Sequence, residues 1–443
     1  MGELFLRGQR GGGGGGSSGT PIDDAVVTLD ASLFAYTGTA KHPVVLSVTL
    51  GGVTLTEGVD WVSYGCTQQN NIGSYAFTIF GVGNYCGSIV VPWRIANIYG
   101  VRWDKSTSTA LTRFGTSALY HSPSPATSGG TGSSAFDSHL PWSGVARETI
   151  GENEMVKIPK YWFRWTDAEG ALSLEISDEA LPGFHTSPAH ADRSDGKGER
   201  DYVYVGRYLC DENYNSKSGV IPVTDVKRAI ARAGCRALGD GYSMIDFAMI
   251  WTIRMLYLVE FANWNSQTKI GKGCGNHSSK QNTGESDSMN YHTGTMTGRT
   301  AYGVGVQYRY IEDLWANVCM LLDGITTDGT AAYVTNVIAN YGDTTENYTK
   351  VSDGHTDGAG VIKGWDVPTT PGLEWALYPN ATGGATSYEI YCTDHNGYAT
   401  SGFRAGITGG YWNNSGWCGL FYTNVTNPEN GRNTNGTRLQ YLP

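Results

Sequence analysis

His277, Glu285, Asp287 and His292 fall within one stretch, CGNHSSKQNTGESDSMNYH, and are the side chains best suited to hold a metal or move a proton. Their spacings match no usual ligand set, so a solvated loop with a structural histidine is the expectation. The acidic neighbours Glu152/Glu154 and Asp178/Glu179 are pairs that chance supplies in any chain of this length. No GxSxG, HExxH or P-loop pattern is present, so no nucleophile or phosphate cradle is announced by motif. The eight cysteines, at positions 66, 86, 210, 235, 274, 319, 392 and 418, form no CxxC and no Cys/His cluster at zinc spacing. Most are expected to be free thiols, with Cys235 and Cys319 acting as small buried apolar groups. Cys66 and Cys86 are the one pair whose local context could allow a disulfide.

A different chemistry is offered by GGYWNNSGWCGLFYTNVTNPENGRNTNGTRLQYLP, residues 409–443. Aromatic rings recur there without helical or strand periodicity, among Asn, Ser and Gly. Tyr, Trp, Asn, Ser and Gly are the residues of adaptable contact surfaces: rigid rings supply area at low entropic cost, and short polar groups supply hydrogen bonds. Tyr411, Asn413, Asn414, Ser415, Trp417, Cys418 and Tyr422 are the candidate ligand-facing residues, with Trp412 and Leu420 packing beneath them. Asn-x-Ser/Thr sequons such as those at Asn347, Asn380, Asn413 and Asn424 are no more than chance provides in so Asn- and Thr-rich a chain.

The elements that must position these residues can be read in outline. The run GGGGGGSSGT near the start is a flexible tether, which sets residues 1–21 apart from the rest of the chain. Residues 22–96 read as strand, turn, strand, with Val44, Leu46, Val48 and Leu50 forming one apolar row at period two, as in a small β-sandwich. After residue 97 come short aromatic-rich strands and then two helices. The first starts at Thr224 as N-cap, places Val226, Ile230, Ala233 and Ala237 on one face, and stops at Gly239. The second covers about 244–263 with a stripe of Ile245, Met249, Ile250, Ile253, Leu256 and Tyr257. A further core element, YRYIEDLWANVCMLLDGI, lies in a Gly/Asn/Thr-rich remainder.

Charged residues make up only 16% of the chain and sum to −10, with no basic block, which argues against nucleic acid and anionic membranes as partners. No apolar run reaches the ~20 residues that span a bilayer. The longest, 244–261, is broken by Asp246, Arg254 and Glu260. MGELFLRGQR has neither the cationic start nor the apolar length of a signal peptide.

Three resemblances stand on these residues. Tyr36-Thr37-Gly38, Leu55-Thr56-Glu57-Gly58-Val59-Asp60-Trp61, Asn71-Ile72-Gly73 and Gly81-Val82-Gly83-Asn84-Tyr85 resemble the bacterial Ig-like modules of bacterial and phage surface proteins. Tyr310-Ile311-Glu312-Asp313-Leu314-Trp315-Ala316-Asn317-Val318, then Phe403-Arg404-Ala405-Gly406, Gly409-Gly410-Tyr411-Trp412 and Gly436-Thr437-Arg438-Leu439, resemble in order the core signatures of the formylglycine-generating-enzyme type of C-type lectin fold. Ala316, Cys319 and Thr437 depart from that family's usual residues. Over 97–443, YGVRWDKS, PWSG, VKIPKYWFRW, ISDEALPGFHTSPA, DYVYVGRY, MLYLVEFANWNSQ, YIEDLWANV and GGYWNNSGWCGLFYTNVTN are similar to phage receptor-binding proteins whose lectin domain is varied by diversity-generating retroelements, a group to which the major tropism determinants are more distantly related.

The resemblance implies a multi-domain chain: an N-terminal all-β Ig-like sandwich as spacer, then an α+β C-type lectin fold with a variable surface at about 401–436. It implies a non-enzymatic adhesin at a phage tail tip, bound to a tail or baseplate protein through its N-terminus and to a host surface receptor, protein or glycan, through that surface. The same resemblance implies a homotrimer; no cofactor is expected, and charge and apolar run length lead to the expectation of no nucleic acid and no membrane insertion. A bacterial surface-display protein is the alternative. Formylglycine-generating enzymes bind copper through two nearby C-terminal cysteines; here Cys418 has no close partner in sequence, so an oxidoreductase is not expected. Nor is calcium, because Trp412-Asn413-Asn414 and Pro428-Glu429-Asn430 have the wrong order for the calcium motifs of animal C-type lectins.

Overall fold

The computed structural model describes residues 19–128, 130–303, 305–383, 392, 394–397, 399–425 and 432–443. The chain is mostly β, with 40% of it in strands distributed over several sheets and 11% in helix. It divides into two compact units, Met1–Tyr99 and Gly100–Pro443.

In the first unit a three-stranded sheet (Val26–Leu29, Val45–Leu50, Val53–Leu55) and a four-stranded sheet (Leu33–Ala35, Ser88–Ala96, Gly73–Gly81, Trp61–Tyr64) share one core. Ser88–Ala96 alternates strictly, sending Ile89, Val91, Trp93 and Ile95 inward. Trp93 is braced by Tyr75 and Phe34 at centroid distances of 4.9 and 5.8 Å. The row expected from Val44 to Leu50 is corrected here. Val48 is buried, but Val44 and Leu46 are exposed, and Val45 packs on the core instead. Opposite Thr28 and Leu29 the register jumps from Ser47 to Val45, so Leu46 is the extra residue of a bulge that flips the face of the strand. Cys66 and Cys86 are both free; their thiols reach the Pro43 and Gly19 carbonyls.

The second unit is organised around helices α1 (Arg228–Arg236), α2 (Phe247–Phe261) and the short α3 (Ser266–Lys269). One five-stranded sheet runs Ala146–Ile150, Asn153–Pro159, Tyr202–Leu209, Arg438–Tyr441, Tyr242–Met244. The largest sheet places Cys319–Asp328 beside Phe403–Gly409, and that strand beside Gly419–Asn424.

All fifteen residues of α2 are buried, so the expected apolar stripe is part of a helix covered on every side. Trp251, Tyr257 and Phe261 pack against Trp165, Trp365, Phe421 and Tyr308. Each charge that interrupts this apolar run has a specific role. Asp246 caps the helix by accepting from Met249 N at 2.8 Å, pairs with buried Arg193 at 2.8 Å, and accepts from Tyr341 and Gln440. Glu260 takes two bonds from Arg309, at 2.7 and 2.8 Å, and one from Tyr308. Arg254 reaches the opposite way, to the Gly419–Asn424 strand. Among the described residues no helix is long and apolar enough to cross a membrane.

The reading of α1 is also corrected. It begins at Arg228 after Lys227, with no side-chain cap, and its buried residues are Arg228, Ala231, Arg232 and Cys235, while Ile230 is 57% exposed. Arg232 makes a forked pair with Asp323, and Arg228 binds Asp343 and the Ile325 carbonyl. These bonds turn the cationic face inward, which a count of apolar residues cannot anticipate. Thr224 instead accepts from Lys280 at 2.7 Å.

Replacing Asp246 with Ala leaves the Arg193 guanidinium buried without its partner and removes the cap of α2. The expected loss is about 3–5 kcal/mol in the unfolding free energy of this unit, against less than about 0.5 kcal/mol for Ile230→Ser; urea titration of both variants checks the contrast.

Candidate binding surface

The chain reverses between Phe403–Gly409 and Gly419–Asn424, and the reversal carries most of the candidate contact residues. Gly409 and Gly410 start it with φ of 89° and 77°. A Cβ at Gly409 would stand 2.8 Å from the Leu314 carbonyl oxygen, and one at Gly410 2.8 Å from the Cys418 sulfur, so both positions need glycine. Asn414 then closes the turn, its Oδ1 accepting from Tyr411 N at 2.9 Å and its own N donating to the Tyr411 carbonyl at 3.0 Å. A single 3-10 turn, Ser415–Trp417, leads into the next strand.

Three separate segments hold this turn from outside. Ser415 N donates to the Gly275 carbonyl at 2.6 Å, and the Gln267 amide of α3 donates to the carbonyls of Ser415 and Cys418 at 3.1 and 2.7 Å. Trp412 N donates to Asn317 O at 3.0 Å, and His277 N donates to Trp412 O at 2.7 Å. From below, the buried Arg254 guanidinium donates to Leu420 O at 2.9 Å, Thr408 Oγ1 at 3.0 Å and Tyr422 O at 3.3 Å. It also lies over the rings of Trp251 and Phe421. Burial pulls this guanidinium down to about 9, partly countered by the charge of Asp394, which itself accepts from Phe421 N.

The candidate residues separate on this scaffold. Asn413 is exposed, and Tyr411, Asn414, Ser415 and Trp417 are half-buried at the surface. Cys418 and Tyr422 do not face outward, at 0% and 3% exposure, and are corrected. Cys418 lies under Gly410 and donates to the Tyr411 carbonyl, while Tyr422 points into a core with Cys319, Leu321, Ile407 and Leu439. Leu420 is buried. Trp412, expected beneath, is half-buried and meets Tyr411 edge-on at 5.5 Å. Pro428-Glu429-Asn430 and part of the 401–436 segment lie outside the described residues.

Sequence reasoning missed His395, whose ring stacks on Trp417 at 4.1 Å and faces Tyr422 at 6.1 Å. It also missed the partner of Cys418: Cys319 lies close enough for its charge to act on that thiol. Burial lifts the Cys319 thiol to about 12, and burial followed by the Cys319 charge lifts Cys418 well above the ordinary thiol value. Burial thus disfavours the thiolate at both positions. Nothing short of spatial proximity signals either neighbour.

The residues that could have formed a metal site are engaged separately. His277 binds the Gly303 carbonyl, Glu285 accepts from Gly305 N, Asp287 pairs with Arg207, and His292 pairs with Asp137. Among the described residues no group of three or more His, Cys, Asp or Glu is placed to hold a metal ion. Neither models of known protein families nor curated proteins match the chain.

His395 Nε2 is buried without a hydrogen-bond partner among the described residues, and burial lowers this imidazole from 6.5 to about 4. Because the folded value is depressed, its stabilising contribution is complete above pH 6.5 and disappears as pH falls towards 4, on the order of 2–3 kcal/mol. His190, also lowered to about 4, adds to the same window. His395→Phe keeps the stack and removes the titration, so its melting temperature should fall less between pH 7 and pH 4.5 than that of the parent; equal falls would contradict the assignment.

Proposed function

We propose that this chain is a non-enzymatic adhesin that binds a host cell-surface receptor, protein or glycan, through the turn bearing Tyr411, Asn413, Ser415 and Trp417. One observation carries the reading. An irregular aromatic turn is fixed by hydrogen bonds from α3, from the 275–277 segment and from Asn317, yet it leaves rings and short polar groups accessible. Rings held in place beforehand lose little entropy on binding, which is what anchor residues require.

The motif order supports a C-type lectin fold of the formylglycine-generating-enzyme type for the second unit and an Ig-like spacer for the first. With them comes placement at a phage tail tip, attachment through the N-terminal segment, and a trimer that strengthens weak single sites by avidity. Asn-rich positions such as Asn413 and Asn414 suit diversification by a retroelement that replaces adenines, which leaves a near-identical template repeat in the encoding locus. A locus without tail genes favours the bacterial surface-display alternative. The oxidoreductase reading gains Cys319 as an electrostatic neighbour of Cys418; stoichiometric metal lost with Cys418→Ala would favour it over the adhesin.

The test is binding of the full chain to intact candidate host cells, beside a variant with Tyr411, Asn413 and Trp417 changed to Ala. Buried Tyr422 is left intact so that folding is preserved. Binding is expected to fall at least about tenfold with an unchanged melting transition; a variant that binds like the parent would make the turn scaffold only.

A further inference from the structure

One flank of the turn has a chemistry of its own. It is built by the segment from α3 to Gly275, which contacts the turn through Gln267 and the Gly275 carbonyl, and by the residues around Tyr302, since Gly303 N donates to Gly273 O at 3.2 Å. Three cations stand on this flank: Lys269, Lys272 and Arg299. The Lys272 ammonium lies 4.6 Å from the centre of the Tyr302 ring. Arg299 is exposed, and Lys269 and Lys272 are half-buried.

Among the described residues, none of the three cations forms an ion pair with a carboxylate, although surface cations elsewhere do, such as Lys105 with Asp167 and Lys217 with Glu152. A fourth cation, Arg113, gives one nitrogen to the Glu260 carbonyl and has its Nε buried without a partner among the described residues. Burial and then the charges of Arg113 and Arg299 lower the Lys269 ammonium below its ordinary value, so Lys269 lies within the field of both. Of the carboxylates of the same stretch, Asp287 pairs with Arg207, while Glu285 accepts from Gly305 N and from the Cys274 thiol at the base of this flank. In a chain of net charge −10, Lys269, Lys272 and Arg299 are thus cations without a carboxylate partner among the described residues, next to the Tyr302 ring that borders Gly275.

We propose that this flank, formed by Lys269, Lys272, Arg299 and Tyr302, binds the anionic groups of an acidic polysaccharide, with Tyr411 and Trp417 receiving its sugar rings. The inference rests on the adhesin reading and narrows its ligand. Uronate, sulfate and phosphate share the chemistry these cations recognise: a compact anion that an ammonium or guanidinium pairs with directly. The polysaccharide is favoured over an acidic protein because the half-buried rings of Tyr411 and Trp417 stand on the adjoining turn. A pyranose can set its carbon–hydrogen face on such a ring while its anion meets the charge.

The test uses the full chain and fluorescently labelled dextran sulfate, hyaluronate and neutral dextran, read by anisotropy at low and at physiological ionic strength. Binding to the two anionic polymers but not to neutral dextran is expected, weakening with salt. The Lys269→Gln/Lys272→Gln/Arg299→Gln variant should bind them at least about tenfold more weakly. The control Lys41→Gln/Lys217→Gln/Lys350→Gln removes the same charge elsewhere and should bind like the parent. Equal loss in both variants, or none in the first, would overturn the proposal. Polyglutamate or oligo-dT bound as tightly as the sugars would overturn the choice of polysaccharide. Host-cell binding that survives the cation variant but not the Tyr411/Asn413/Trp417 variant would leave the adhesin reading standing and remove this one.

Discussion

The second unit depends on burying a fifteen-residue helix from every side while ionisable groups stand at its start, its middle and its end. A charge inside a protein is costly unless it is paired or hydrogen-bonded, so Asp246 and Glu260 recruit cationic partners, and Arg254, without an ion pair among the described residues, recruits carbonyls and hydroxyls. Asp246 fixes Arg193, Tyr341 and Gln440; Glu260 fixes Arg309 and Tyr308. Through Gln440 this includes the Arg438–Tyr441 strand, whose Arg438 in turn donates to the carbonyls of Gly206, Arg207, Glu312 and Asp313. Segments far apart in the chain are thereby tied to one axis.

Arg254 extends the same logic to the surface. Its guanidinium satisfies carbonyls of the Gly419–Asn424 strand and lies over Phe421, so the strand that leaves the aromatic turn is anchored to the middle of the helix. Above it, the Gly409-Gly410 reversal, the Asn414 closure and the bonds from Gln267 and Gly275 fix the path of the turn. The rings at Tyr411 and Trp417 thus gain their positions from bonds made by backbone and by side chains they do not themselves use. Such an arrangement tolerates changes at exposed positions such as Asn413 while the frame below stays fixed.

How much of the structure is legible in the sequence depends on how local each signal is. The strand-and-turn character of residues 22–96 and the position of α2 are encoded within their own segments, and both are present in the structure. Leu46 departs from its expected face because a bulge is set by the partner strand, and Ile230 because ion pairs to Asp323 and Asp343 outweigh apolar spacing. Within the candidate surface, the accessible positions Tyr411, Asn413, Ser415 and Trp417 agree with residue type. The burial of Cys418 and Tyr422 is decided by which face of a paired strand turns inward, and the Cys319 and His395 neighbours by tertiary packing, neither of which composition reveals.

The central claim is that Arg254 makes the aromatic turn rigid from within. Hydrogen exchange of the parent and of Arg254→Met, followed by mass spectrometry, addresses it directly. The account predicts that Gly419–Asn424 exchanges as slowly as α2 in the parent. In the variant, residues 411–424 should exchange at least about tenfold faster while Arg438–Tyr441 stays protected. Rapid exchange of 411–424 in the parent, or rates unchanged by the substitution, would contradict it.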